Sequence, residues 1–224
     1  MGEQASQPWP ETPRRREPFF KAPWPATGLI VILIAAHALR IWSGVGAERF
    51  ALTAGDLAAG RWSGLVTHQF IHASWPHVLM NSVALVAFGP PAARLMGTDA
   101  RGAAAFFAFY LSCGLLAGLG FVVADLQSRD VVVGASGAVS GLLGAASRII
   151  EGRGKIGPMF GRTVLGMGLA WVIVNVVLGV SGLTPGAAGM PVAWQAHLAG
   201  YAAGVLLIGL FARLAGVSDA AFTQ

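Results

Sequence analysis

The chain has 224 residues, enough for one or two ordinary domains, yet 55% are hydrophobic and only 11% are Asp, Glu, Lys or Arg. Soluble globular chains carry about 25% charge, so there is too little here to coat a water-facing surface, and an ordinary soluble domain is excluded. A single cysteine, Cys113, rules out an internal disulfide framework, a cysteine-based zinc site and a redox pair.

Residues 1–24 form a polar tail rich in proline and arginine. Stretches close to the roughly 20 apolar residues that cross a hydrocarbon core of about 30 Å follow at 26–42, 77–96, 102–124, 131–149, 164–180 and 192–214. They predict an all-α membrane protein with six transmembrane helices within residues 25–214, and a short tail at 215–224. The first stretch begins after the polar tail with no small-residue cleavage site behind it, so it reads as a retained helix rather than a signal peptide. Residues 43–76 mix Phe50, Leu57 and Trp62 with Glu48, Asp56 and Arg61, the pattern of short amphipathic helices lying in the membrane interface. The uncharged, Gly- and Pro-rich stretch 181–191 reads as a mobile cap before the last helix. The 31 glycines lie mostly inside the apolar runs, which points to close helix packing rather than disorder.

The net charge of +5 is explained by threading. Cytoplasmic connections are enriched in Lys and Arg. Eleven basic residues (Arg14, Arg15, Arg16, Lys21, Arg94, Arg101, Arg148, Arg153, Lys155, Arg162, Arg213) fall on one side of a six-helix threading and four (Arg40, Arg49, Arg61, Arg129) on the other. Both termini are therefore expected in the cytoplasm, and nucleic acid is not expected as a partner. The lipid bilayer is.

Polar groups inside a bilayer are costly and invite a functional reading. His77, Asn81, Ser136 and His197 fall in one slab near the outer ends of helices two, four and six. Counted from Asp130 and Pro191, Ser136 and His197 each lie six residues in, roughly 9 Å below the outer edge at the rise of an α-helix. Gly134, Gly137, Gly141 and Gly144 in helix four, and Ala196, Gly200 and Gly204 in helix six, recur at spacings that let helix backbones approach closely in lipid. Close approach would bring His197 to Ser136, as a serine nucleophile requires, because an alcohol needs a neighbouring base to take its proton. Gly134 and Gly137 would permit an unusual backbone around Ser136 and leave room for a substrate chain. The amide of Ser136 at a helix start, together with His77 and Asn81, would stabilise an oxyanion. None of the ten acids lies in a membrane stretch, so a Ser136/His197 dyad is the economical proposal, with no metal and no cofactor.

The strings His72-Ala73-Ser74-Trp75-Pro76-His77-Val78-Leu79-Met80-Asn81, Gly134-Ala135-Ser136-Gly137 and Ala196-His197-Leu198-Ala199-Gly200-Tyr201-Ala202-Ala203-Gly204 together resemble the rhomboid family of intramembrane serine proteases, from the first helix to about residue 214. The resemblance implies a six-helix fold and a dyad of Ser136 and His197. It also implies oxyanion stabilisation by His77, Asn81 and the Ser136 amide, and water reaching the site from outside. The implied substrates are single-pass membrane proteins, cut in or beside their transmembrane segment, with helix five and the cap governing their admission.

Three positions depart from the common pattern. Trp62-Ser63-Gly64 stands where a Trp-Arg pair is frequent, Ala92 where a glutamate precedes Arg94, and Ser140 where an aromatic stacks on the catalytic histidine. The last bears on how firmly His197 is held, and Trp171 is a candidate substitute. The competing readings are an inactive relative that binds transmembrane clients, and a metal- or haem-binding protein using His68, His72 and His77. His68 and His72 otherwise read as interfacial hydrogen-bonding residues, with His72 also lining the path of water. His37 and Asn175 read as packing and interhelical hydrogen bonds. The tail lacks an Arg- and Ser-rich amphipathic helix, which favours a bacterial plasma membrane over an organelle.

Overall fold

The computed structural model describes residues 22–127, 129–182 and 192–222. Most of the polar tail and nearly all of the expected cap lie outside the described residues. The architecture is helical: α1 (Trp24–Trp42), α2 (Ala54–Ala58), α3 (Gly64–Thr67), α4 (Trp75–Met96), α5 (Ala100–Ala124), α6 (Ser136–Glu151), α7 (Arg162–Ser181) and α8 (Trp194–Leu214). Five of these, α1, α4, α5, α7 and α8, are long and apolar enough to cross a membrane. With its broad apolar exposure, this is a multi-pass membrane protein.

Helix starts follow from local chemistry. Ser74 caps α4 by accepting the His77 amide, and Pro76 occupies the first turn, where its missing N–H costs nothing. Asp99 caps α5 by accepting the Gly102 amide at 3.0 Å. Gly182, in the left-handed region at φ +64°, ends α7.

α6 corrects the stretch expected at 131–149. It has 16 residues and starts only at Ser136. The five residues before it are held out of helix by the α1–α4 connection. Leu52 and Val132 form an antiparallel bridge with two 3.0 Å hydrogen bonds. The Gly134 amide donates to the His68 carbonyl at 2.8 Å, with Gly134 at φ +116°. The roughly two-turn descent expected from Asp130 to Ser136 is therefore absent, and Ser136 opens its helix.

Every residue of α6 from Gly137 to Ile149 is buried, so α6 is the central helix, packed by α8, α5, α4 and α7. Its small residues make that possible. A Cβ on Gly200 would strike the Gly137 carbonyl, and one on Gly204 the Gly141 carbonyl. Gly141 in turn leaves its space to Cys113 of α5. Backbone thus lies on backbone where α6 and α8 cross. Arg148 sits in the last turn of α6 rather than in a loop. It is buried and donates to the Gly157 and Val205 carbonyls, which fixes the α6–α7 connection.

α7 is the opposite case. Only Val164 and Asn175 along it are buried, and Leu165, Leu169, Ile173, Val176 and Val177 face outward.

Candidate active site

The central crossing brings the predicted polar residues together. Ser136 is the first residue of α6 and His197 lies in the first turn of α8, and the Ser136 Oγ and His197 Nε2 are 2.9 Å apart. The close approach of Gly137 to Gly200 supports this distance, because Gly137 directly follows Ser136 and Gly200 lies about one turn beyond His197. Both side chains remain partly open to a cavity of about 260 Å³ that is also lined by His77, Asn81, Ser140 and Trp171.

His77 and Asn81 lie one turn apart on α4 and face the segment before Ser136. A Cβ on Gly134 would come 2.8 Å from Nε2 of His77 and 3.8 Å from Nδ2 of Asn81. Asn81 Nδ2 donates one hydrogen to the His77 carbonyl at 3.1 Å, and an amide nitrogen carries a second hydrogen to spend elsewhere. Ser136 and Gly137 contribute first-turn amides, which a helix leaves without an intrahelical acceptor. The arrangement offers a hydroxyl, a base within hydrogen-bond reach and several converging donors, the parts an acyl-transfer site needs.

Gly137 corrects one expectation. Its missing side chain makes no room for substrate, because a Cβ there would lie 2.6 Å from the Cβ of Ala117 on α5. Gly134 is the glycine that serves the site, through its positive φ and its contact with His77.

His72 is a second correction. It is fully buried and does not line the cavity. Its Nε2 instead accepts the Ala135 amide at 3.3 Å, directly before Ser136. His68 is buried and hydrogen-bonded, with Nδ1 2.7 Å from the Gly64 carbonyl. Burial holds both imidazoles well below their ordinary value, His68 at about 4 and His72 at about 3. With His72 Nε2 committed to a backbone amide, these rings are structural supports, and the metal or haem reading finds no convergent ligand set among the described residues.

The family model described as the rhomboid domain matches residues 59–214, more than half of the chain. The chain belongs to the rhomboid family. It is similar to the rhomboid protein YdcA of Bacillus subtilis (strain 168), with 33% identity over 113 residues, 50% of this chain and 51% of that protein. It is also similar to RHOMBOID-like protein 9, chloroplastic, of Arabidopsis thaliana, with 36% identity over 89 residues, 40% of this chain and 19% of that protein. The chain thus spans about half the length of the first relative and about a fifth of the second. Membership of the family fits an intramembrane protease or a rhomboid-like protein without activity.

Asn175 does make an interhelical hydrogen bond, but its partner is the His197 ring, with Nδ1 2.6 Å from Asn175 Oδ1. The signal available was its place one turn after Trp171 on α7, whose ring lies 5.8 Å from that of His197 at 37°. Ser140, the residue in the aromatic position, donates to the Ser136 carbonyl at 2.7 Å.

Proposed function

We propose that this rhomboid is an intramembrane serine endopeptidase that cleaves single-pass transmembrane proteins in or near their membrane segment through Ser136 and His197. The observation that carries the reading is the 2.9 Å separation of Ser136 Oγ and His197 Nε2 inside an apolar-walled cavity. Ser136 Oγ attacks the scissile carbonyl carbon while its proton passes to His197 Nε2. The amide of Ser136, with His77 and Asn81, donates to the oxyanion as the Oγ–C bond forms. Collapse breaks the C–N bond, and the Nε2 proton leaves on the amine. Water then attacks the acyl ester, its proton goes to Nε2, and the proton returns to Ser136 Oγ as the acid departs.

The threading that accompanies this mechanism has six membrane passages, with α6 as the short central one. Both termini are cytoplasmic and the site opens to the outer face of a bacterial plasma membrane. The eleven-to-four division of basic residues supports that direction. The membrane domain is residues 25–214, with tails 1–24 and 215–224 in the cytoplasm.

The test uses purified protein in detergent or liposomes with a single-pass substrate bearing a small residue near its outer membrane boundary. Wild type is expected to cut it, and Ser136→Ala and His197→Ala are not. A fluorophosphonate should label wild type and leave Ser136→Ala unlabelled. Equal cleavage by wild type and Ser136→Ala would sink the mechanism. A folded wild type that neither cuts nor labels would leave the inactive, client-binding relative as the reading.

A further inference from the structure

On α7, Val164 packs near one end, and Asn175 is the polar residue the helix buries in the bundle. Its amide has a defined direction. Nδ2 donates to the Trp171 carbonyl at 2.8 Å, one turn back. A carbonyl can only accept, so the nitrogen end of the amide must face it, and Oδ1 must face His197. Oδ1 in turn can only accept, so the proton of the neutral imidazole sits on Nδ1, at 2.6 Å from Oδ1. Nε2 is left with a lone pair directed at the Ser136 hydroxyl. This is the tautomer a general base needs, and a chain of carbonyl, amide and imidazole selects it without a charged residue.

We propose, resting on the serine-protease reading above, that Asn175 is a positioning residue that fixes the tautomer and ring orientation of His197, completing a Ser136–His197–Asn175 set. In acylation the Ser136 proton moves to Nε2 and later to the leaving amine. Asn175 gains and loses no proton, and holds the Nδ1–H throughout. A neutral amide suits this place because a carboxylate within a membrane bundle carries a heavy desolvation cost. Trp171, from the same turn of α7, flanks the ring, so α7 supplies both constraints on His197.

The experiment compares wild type, Asn175→Leu, Asn175→Asp and Ser136→Ala in detergent, with matched thermal unfolding to show that each is folded. Cleavage is resolved into kcat and KM, and 15N-histidine spectra report the tautomer of His197, assigned by difference with His197→Ala. In wild type the proton is expected on Nδ1. In Asn175→Leu that signature is lost and kcat falls roughly 10- to 100-fold, less than the roughly 10²–10⁴-fold supplied by a general acid–base group itself because Asn175 acts only through His197, with KM within about twofold. Asn175→Asp keeps an acceptor for Nδ1–H and recovers part of kcat, with a lower unfolding midpoint because the carboxylate is desolvated and lacks the donor to the Trp171 carbonyl. The proposal is overturned if Asn175→Leu retains the Nδ1–H form or a kcat within about twofold of wild type, or if Asn175→Asp falls as far as Asn175→Leu. Cleavage by Ser136→Ala, or none by wild type, overturns the protease reading itself and this inference with it. Loss of cleavage in Ser136→Ala alone leaves only the role of Asn175 at stake.

Discussion

The backbone N–H of Ala135 donates to the ring nitrogen Nε2 of His72, a residue 63 positions earlier in the chain. Both residues are fully buried, so this bond ties the start of α6 to the α1–α4 connection where water cannot replace it. His72→Ala removes the acceptor and orphans the amide, a loss of about 1–3 kcal/mol. Thermal unfolding in detergent should show a lower midpoint, and fluorophosphonate labelling of Ser136 should slow. An unchanged midpoint with wild-type labelling would show that the bond does no such work.

The same burial predicts how stability changes with pH. His68 and His72 titrate at about 4 and about 3 in the folded protein, against about 6.5 when unfolded. The unfolded chain therefore binds more protons than the folded one across that interval. The contribution of these two rings is complete above about 6.5, declines as pH falls below it, and is exhausted near the folded values. Unfolding midpoints measured from pH 7.5 to 4.5 should drop progressively, and more shallowly in His72→Phe. A profile for His72→Phe as steep as that of wild type would contradict the assignment.

Gly134 combines a left-handed backbone, φ +116°, with close contact to His77. Gly134→Ala carries backbone strain of about 1–3 kcal/mol and drives a methyl against His77 Cε1 and Nε2. Labelling of Ser136 should fall at least tenfold, because the donor side of the cavity is pushed away. A labelling rate within twofold of wild type would show that the segment has room to spare.

Glycines that share a residue type do not share a role. Gly204→Val places a side chain into the Gly141 carbonyl at the α6–α8 crossing, whereas Gly166 on α7 has nothing within 4 Å. Gly204→Val should fail to accumulate as folded protein, and Gly166→Val should accumulate and unfold like wild type. The reverse ranking would refute the crossing as described.

The long helices were legible in the sequence because apolar length alone marks them, and α1, α4, α5, α7 and α8 lie where hydropathy puts them. The start of α6 was not. Val131, Val132 and Val133 extend the apolar run, and the bridge that holds Val132 out of helix comes from Leu52, 80 positions away, which no local pattern encodes. The meeting of Ser136 and His197 was readable because glycine spacing reports close helix approach. The bond from Asn175 to His197 was legible only through Trp171, one turn back on α7, because an asparagine in a lipid-facing helix does not itself mark which neighbour it will meet. His72 misled for a related reason: a histidine in a polar connection looks solvated until the fold closes over it.

α7 touches the bundle at few polar points, among them Tyr201 Oη donating to the Val164 carbonyl and Asn175 meeting His197. Most of its remaining surface belongs to the surrounding acyl chains. The helix with the most outward-facing apolar surface is thus also the one that meets His197 Nδ1, whereas Ser136 opens a helix enclosed by the bundle. One partner of the pair therefore stands one hydrogen bond away from the lipid-facing helix, and the other is reached only through the interior of the protein.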